Sequence, residues 1–350
     1  MSFWTNICNV FWSPYFWLPE GETWHTFDSK QTGLHGNYTG IYFATAMAIC
    51  LLRLQPAMKR LFITPIGRYL GLGSKRRTRH PHNKTLENLF KMYGPEVPED
   101  IKEELEKSIN LSAAQIQFWM KNRKYAEKLE QKLIKFVECG WKFVYYAFSA
   151  SYGLSALWNK TWFWNMEECW KGAPYHTLEV DVWFYCWICA GFYLASMFSV
   201  FIETRRGDFK MMVAHHFITL FLMSLTWFSN LTRIGSVFLL LHDISDAFLE
   251  IAKMCKYVGY IALGTFFFVI FALLWHLTRV LYYPYVLYSI MFQAQYLMKT
   301  TLAFQCFRIM AVALFVLHIK WTFCIWNIIR NALKQGRALE DERSSDEDSD

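Results

Sequence analysis

Long apolar runs dominate this sequence and limit what the chain can fold into. Hydrophobic residues fill 54% of the 350 positions and aromatic residues 19%, which is more than an ordinary soluble surface carries. The runs lie near residues 38–54, 139–157, 182–203, 212–229, 234–252, 260–283 and 301–329. Because a helix crosses a bilayer with about 20 mostly apolar residues, the pattern predicts an all-α, polytopic membrane protein with about seven spans.

The segments between these runs divide the chain further. We predict an interfacial segment at 1–37, a first transmembrane helix at 38–57, a soluble helical module at 66–128, a membrane domain at 130–335 and an acidic tail at 336–350. The first segment lacks a basic leader and a cleavage site, so we do not expect a removed signal peptide. Four of its tryptophans suit the lipid headgroup layer: Trp4, Trp12, Trp17 and Trp24.

The distribution of basic residues predicts the orientation in the membrane. Lys and Arg near spanning helices are retained in the cytosol, and seven spans place all the basic loops there. The N-terminus is then lumenal and the C-terminus cytosolic. Among the N-glycosylation sequons, those at Asn37 and Asn159 fall on the lumenal side, where we expect glycans, whereas those at Asn83 and Asn110 fall on the cytosolic side and stay unmodified.

Ionisable residues inside apolar runs mark the candidate site, because they are costly in a membrane. The fourth span contains His215 and His216, and the fifth contains the sequence from His242 through Asp243 and Asp246 to Glu250. At 1.5 Å per residue, His215 lies about 8 Å inward from Lys210, and Asp246 lies about 10 Å inward from Lys253. A short turn joins the two spans, so the sequence predicts an imidazole–carboxylate cluster in the cytosolic half of the membrane.

Two other interpretations of this cluster remain open. A single buried His or Asp is often only a structural hydrogen bond, although two of each at matched depth argue against that. His/Asp sets also bind zinc or iron, but adjacent histidines point about 100° apart on a helix and do not easily share an ion. We therefore predict no metal and no other cofactor.

Two motifs resemble known families. The His215–His216 pair, the sequence Leu231-Thr-Arg-Ile-Gly-Ser and the motif from His242 to Glu250 are similar to the signature of the TLC-domain ceramide synthases. The segment Gln115-Ile-Gln-Phe-Trp-Met-Lys-Asn-Arg-Lys resembles the recognition helix of a homeodomain. Together they resemble the animal ceramide synthases with a homeobox-like insertion. We do not expect DNA as a partner, because the membrane spans hold the module away from most of the DNA. We expect Lys121, Arg123 and Lys124 to form a solvated basic face.

The resemblance implies an enzyme of the endoplasmic reticulum membrane that joins a fatty acyl chain from acyl-CoA to the amine of sphinganine or sphingosine. It implies that His215 or His216 is the general base or nucleophile, and that Asp243 or Asp246 orients it. His242 is a further candidate substrate-binding residue. The resemblance is also compatible with homo- or heterodimers of related synthases in contact with membrane lipids. The alternative is a non-enzymatic TLC-type protein that only binds or senses lipids.

Three further expectations concern other parts of the chain. Arg205, Arg206 and Lys210 lie where the CoA diphosphate would dock, although such residues also serve simply as topology charges. In the acidic tail, Ser344, Ser345 and Ser349 are candidate phosphorylation sites for an acid-directed kinase. Residues 284–300 are expected to form a lumenal loop between the last two spans that sets the acyl-chain length, or else an aromatic anchor.

Overall fold

The computed structural model describes residues 11–31, 33–36, 39–73, 83–109, 111–204 and 207–335, and within them it contains helices and no strand. The prediction of an all-α fold is therefore confirmed. We number the long helices α1 Gly40–Tyr69, α2 Lys84–Tyr93, α3 Glu99–Ile109, α4 Ala113–Leu157, α5 Val180–Ser199, α6 Phe209–Phe228, α7 Thr232–Val258, α8 Ile261–Leu297 and α9 Leu302–Gln335. Shorter helical pieces are Pro14–Trp17, Trp24–Lys30, Thr161–Trp164 and a 3₁₀ turn at Met166–Cys169.

Five of the described helices are long and apolar enough to cross a membrane, namely α1, α5, α6, α8 and α9. The chain is therefore a membrane protein. The other two long helices of the bundle, α4 and α7, are less uniformly apolar, and α7 packs chiefly against α4 and α8. A helix surrounded by protein can carry polar groups that lipid would not tolerate. The total of seven spans stays a prediction.

The bundle has two chemically different ends. At the end that we call the basic end lie Lys59, Lys210, Lys256 and Lys334. An ion pair between Lys142 Nζ and Glu203, at 2.6 Å, joins α4 to the segment after α5 there. At the opposite end, the amide of Asn230 donates to the carbonyls of Pro174 at 2.6 Å and His176 at 3.0 Å, which ties the α6–α7 turn to the α4–α5 loop.

The N-terminal segment packs onto the opposite end of the bundle. Trp17 is only 2% exposed and Phe27 only 1%, and the Trp12 ring lies 5.0 Å from that of Phe228 on α6. The prediction that Trp17 faces lipid headgroups is therefore wrong, because its ring is enclosed by protein. Trp12 and Trp24 are half-buried, and Trp4 lies outside the described residues.

The soluble module is a three-helix unit whose third helix is the start of α4. Leu86, Leu89, Ile116, Trp119 and Met120 belong to its separate hydrophobic core. The α2 and α4 N-termini are capped by the side chains of Asn83 and Ser112. Glu87 on α2 accepts two hydrogen bonds from Arg123 on α4, at 2.9 and 2.8 Å. Arg123 is thus an inter-helix tie, and not part of a solvated basic face as predicted.

The segment expected to be a lumenal loop before the last span is helical instead. Helix α8 continues through a π-helical stretch at His276–Tyr282, an α-helical turn at Tyr283–Tyr288 and a second π stretch at Ser289–Gln293, and it ends at Leu297. Only about four residues then join it to α9. Pro284 lies in the first turn after a π stretch, where its missing N–H and its ring are tolerated.

Candidate active site at the junction of two cavities

The two predicted histidines on α6 lie side by side in the interior of the bundle. His216 is 6% exposed, His215 is partly buried, and their ring centroids are 5.7 Å apart. The Nδ1 atom of each is buried and has no hydrogen-bond partner among the described residues. A buried imidazole nitrogen without a partner is costly unless something binds there, so both nitrogens are candidate reactive atoms.

Two cavities meet at these histidines. An apolar cavity of about 260 Å³ extends from His215 and His242 toward the opposite end of the bundle. A more polar cavity of about 150 Å³ lies on the basic side and is lined by His215, His216 and His242. Its other polar lining residues include Lys142, Glu203, Asp246, Glu250, Lys253, Arg279 and His318. His215 and His242 line both cavities, so they stand between an apolar space and a charged one.

Asp243 does not reach the α6 histidines. Its carboxylate is fully buried and accepts hydrogen bonds from Ser149 Oγ on α4 at 2.5 Å and from the Tyr193 hydroxyl on α5 at 2.7 Å. The Tyr193 ring centroid lies 6.5 Å from that of His216. The prediction that Asp243 directly orients a catalytic histidine is therefore wrong. Instead, Asp243 joins three helices and positions the tyrosine that packs near His216.

Asp246 is paired with an arginine that the sequence analysis did not single out. Arg279, in the π stretch of α8, is 2% exposed and donates to Asp246 Oδ1 at 2.8 Å and to the His242 carbonyl at 2.6 Å. Its guanidinium also donates to Ser245 Oγ and lies 4.2 Å from the Trp275 ring centroid. Asp246 is thus an ion-pair partner of Arg279 through Oδ1, and no hydrogen bond joins it to an α6 histidine in the described structure. That it orients such a histidine stays a prediction.

The arrangement around His242 fixes the tautomers of two rings. His242 Nδ1 lies 2.5 Å from the Phe238 carbonyl, which only accepts, so Nδ1 carries the proton. In the neutral ring, His242 Nε2 then accepts from His318 Nε2–H on α9, at 3.0 Å. The lone pair of His318 is left on Nδ1, which is buried without a partner among the described residues. His242 therefore has no ring nitrogen left for a substrate, contrary to its predicted binding role.

The sequence was compared with known proteins. Residues 135–327 match the TLC domain family, and residues 74–129 match the homeodomain family. The chain is 31% identical to human ceramide synthase 4 over 341 residues, which are 97% of this chain and 86% of that relative. The chain belongs to the TLC-domain ceramide synthases. Mouse ceramide synthase 5 is 30% identical over 340 residues, with 97% of this chain and 82% of the relative covered.

Membership in the ceramide synthases makes the chain an acyltransferase and confirms the family resemblance that the His and Asp motifs indicated. A ceramide synthase of Arabidopsis thaliana is 37% identical over 243 residues, covering 65% of this chain and 78% of that relative. The alternative of a protein that only binds or senses lipid loses its support, because relatives matched along nearly the whole chain are synthases.

Several predicted residues of this ceramide synthase lie away from the site or outside the described parts of the chain. Lys210 is exposed at the start of α6 and lines neither cavity. The basic residues that do line the polar cavity are Lys142, Lys253 and Arg279. The following predicted residues fall outside the described ranges: Arg205, Arg206, Asn37, Ser344, Ser345 and Ser349.

Arg279 and His318 are the site residues that sequence reasoning missed. Both are ionisable residues within apolar runs, which is the same signal that selected the α6 and α7 residues. In the described part of the chain, no group of three or more His, Cys, Asp or Glu side chains is arranged to hold a metal ion.

Proposed function

We propose that the chain transfers a fatty acyl group from acyl-CoA to the amine of sphinganine or sphingosine and so forms dihydroceramide or ceramide. The observation that carries this proposal is the position of His215, which lines both the apolar and the polar cavity. An acyl thioester has a hydrocarbon tail and a charged nucleotide on either side of one reactive carbonyl. A site that separates an apolar space from a charged space by an imidazole suits such a substrate.

The chemistry requires removal of two protons from the attacking ammonium group and departure of the CoA thiolate. In a direct route, His215 or His216 takes the first proton and releases it to solvent, and the free amine forms the C–N bond as the C–S bond breaks. The imidazole then takes the second proton from the new amide nitrogen and delivers it to the thiolate. In a two-step route, an imidazole nitrogen first displaces CoA and carries the acyl group, and the amine then displaces the imidazole. Both routes use a partnerless Nδ1, and both remain open.

The charged groups of the polar cavity support binding of the polar substrate parts. Glu250 and Lys253 are paired at 2.8 Å, and the Lys142–Glu203 pair lies on another wall. Carboxylates there suit the substrate ammonium, and the lysines suit CoA phosphates approaching from the basic end. Docking of CoA by Arg205, Arg206 and Lys210 stays a prediction.

The decisive test is turnover by the purified full chain in lipid nanodiscs, supplied with a series of acyl-CoAs and with sphinganine. We expect dihydroceramide and free CoA in equal amounts, measured by mass spectrometry and a thiol assay. A related ceramide synthase purified in parallel controls for the lipid conditions. Absence of product from every acyl-CoA and base, while that control is active, would exclude the proposed reaction.

We further propose that the enzyme resides in the endoplasmic reticulum membrane with its basic end in the cytosol. Asn159 is exposed just after α4 at the opposite end, and it should therefore carry a glycan. Asn159→Gln should increase electrophoretic mobility to the same extent as glycosidase treatment at that site. Asn83→Gln, in an identical Asn-Lys-Thr tripeptide on the module, is the matched control and should change nothing. A glycan at Asn83 instead would invert the proposed orientation.

His318 is expected to position His242, because its Nε2–H is the donor that fixes the His242 ring. Replacing His318 by Leu removes a hydrogen bond worth about 1–3 kcal/mol from the His242 ring, which forms part of the wall where the two cavities meet. We expect the displaced ring to lower kcat about tenfold with the acyl-CoA KM unchanged. His318→Gln restores an N–H donor and should recover part of the rate. The measurement is a kcat and KM comparison across pH.

The control for this prediction is His276→Leu on α8. His276 is hydrogen-bonded to Trp326 at 2.6 Å and lines neither cavity, so its loss should leave kcat unchanged. If the His318 Leu and Gln variants lose the same activity, or if only KM changes, the donor role of His318 is excluded.

A further inference from the structure

Two indole rings lie at the end of the apolar cavity that is farther from His215. Trp187 on α5 and Trp227 on α6 both line the cavity, and their ring centroids are 4.3 Å apart. The Trp187 Nε1 atom is buried without a hydrogen-bond partner in the described structure, so packing alone holds this ring. It lies against Phe43 of α1, with centroids 5.5 Å apart.

A glycine at the start of α1 fixes the position of this indole pair. A Cβ atom on Gly40 would lie 2.3 Å from Trp227 Nε1 and 2.6 Å from Trp187 Cη2. Real Cβ contacts are not that short, so both rings are packed directly against the glycine backbone. The pair therefore has no room to move toward α1 and forms a rigid part of the cavity wall, which we call the floor.

The distance between this floor and the site can be measured along the helices. Trp227 follows His215 by twelve residues on α6, which is about 18 Å, and the cavity-lining Thr232 precedes His242 by ten residues on α7, which is about 15 Å. An extended alkyl chain advances by about 1.25 Å per carbon, as tetrahedral geometry and C–C bonds of about 1.52 Å require. The cavity therefore accepts about 12 to 14 methylene groups beyond a carbonyl held at His215.

We infer that the Trp187–Trp227 pair is the stop that sets acyl-chain length, with a preference for acyl groups of about 14 to 16 carbons. This inference rests on the proposed function. It replaces residues 284–300 as the determinant, because no described residue of that segment lines the apolar cavity. In α8, Val286, Ile290 and Ala294 of that segment are instead buried in the protein core.

Three substitutions test the floor in opposite directions. Trp187→Ala or Trp227→Ala removes part of the floor. The ratio of ceramides with acyl chains of 20 or more carbons to the ceramide with a 16-carbon chain should then rise at least tenfold. Ala190 lines the cavity three residues nearer the basic end than Trp187, about 4.5 Å along α5. Ala190→Phe should therefore shift the preferred chain about four carbons shorter. The readout is the ceramide profile from an equimolar acyl-CoA mixture of 12 to 24 carbons with sphinganine.

Trp183→Ala is the matched control. Trp183 lies one turn before Trp187 on α5 and contacts it, with centroids 5.6 Å apart, but lines neither cavity. Its profile should match that of the wild type. An unchanged profile in both tryptophan variants at wild-type total activity would overturn the inference, as would an Ala190→Phe enzyme that still prefers 16 carbons.

The two kinds of failure are distinguishable in this experiment. A wild-type protein inactive with every acyl-CoA contradicts the proposed function itself. An active wild type whose product profile has no maximum at 14 to 16 carbons contradicts only the inference that the indole pair sets acyl-chain length. If the tryptophan variants do not fold, the direction of the Ala190→Phe shift decides, because that change leaves the indole pair in place.

Discussion

Replacing His215 with alanine is expected to lower turnover by at least about 100-fold, the usual contribution of a positioned acid–base group. His215 is the α6 histidine that lines both cavities, and its Nδ1 has no partner in the described protein. Removing the ring leaves no imidazole on α6 that contacts both substrate spaces. His216→Ala should have a comparable effect, and the double variant should fall little further if the two act as one unit. Initial rates at saturating acyl-CoA and base give the comparison.

Phe217→Ala is the control on the same helix. Phe217 is 61% exposed on the outer surface of the bundle and lines neither cavity, so its loss should leave the rate within about twofold. Normal turnover in a folded, membrane-inserted double variant of His215 and His216 would remove the proposed centre.

Replacing Arg279 with methionine is expected to destabilise the protein by about 1.5–3 kcal/mol, because it leaves the partly buried Asp246 carboxylate without its cation. The substitution also removes the donors to the His242 carbonyl and Ser245. The variant should unfold at a markedly lower temperature in detergent, as followed by tryptophan fluorescence. Activity should be lost with the fold.

A second substitution separates the ion pair from side-chain packing. Asp246→Asn added to the Arg279→Met variant removes the uncompensated charge and should recover part of the lost stability. Arg308→Met is the comparison for a less enclosed arginine. Arg308 is partly exposed, donates to backbone carbonyls of α8 and has no carboxylate partner among the described ion pairs, so a smaller loss is expected. A double variant as unstable as the single one would show that the pair itself contributes little.

The helical architecture and the depth of the site could be predicted from the sequence because each rests on local periodicity. Apolar runs mark membrane helices, and the rise per residue places His215 and Asp246 at similar depth. Both line the polar cavity. A short turn between α6 and α7 was enough to predict that their polar residues share one compartment.

The partners within the site could not be predicted, because they come from helices distant in sequence. Asp243 is bonded to residues of α4 and α5, and Asp246 to a residue of α8. The rotation of each helix about its axis decides these contacts, and the periodicity of one helix does not specify the rotation of the helices packed against it. We expect Asp243→Asn to lower turnover at least about 100-fold, because an amide keeps only one of the two oxygens that accept from Ser149 and Tyr193.

The helix that replaces the expected loop after Tyr283 was missed for a different reason. Pro284 and the Ser, Gln and Tyr residues after it are typical of an interfacial turn. The π stretches on either side relax the normal hydrogen-bond register and let the helix continue through the proline. Such register changes have no clear signature in a single sequence.

Helix α4 runs without a break for 45 residues, from the cap at Ser112 to Leu157, and so joins the module core to the buried Asp243 network. Each residue turns an α-helix by about 100°. Inserting or deleting a single residue between Trp119 and Ser149 would rotate the module by that angle about the α4 axis, relative to the bundle. Only an insertion or deletion close to a whole number of helical turns, such as seven residues, would keep the module in its present orientation to the bundle. Residues in this stretch should therefore be substituted far more readily than inserted or deleted.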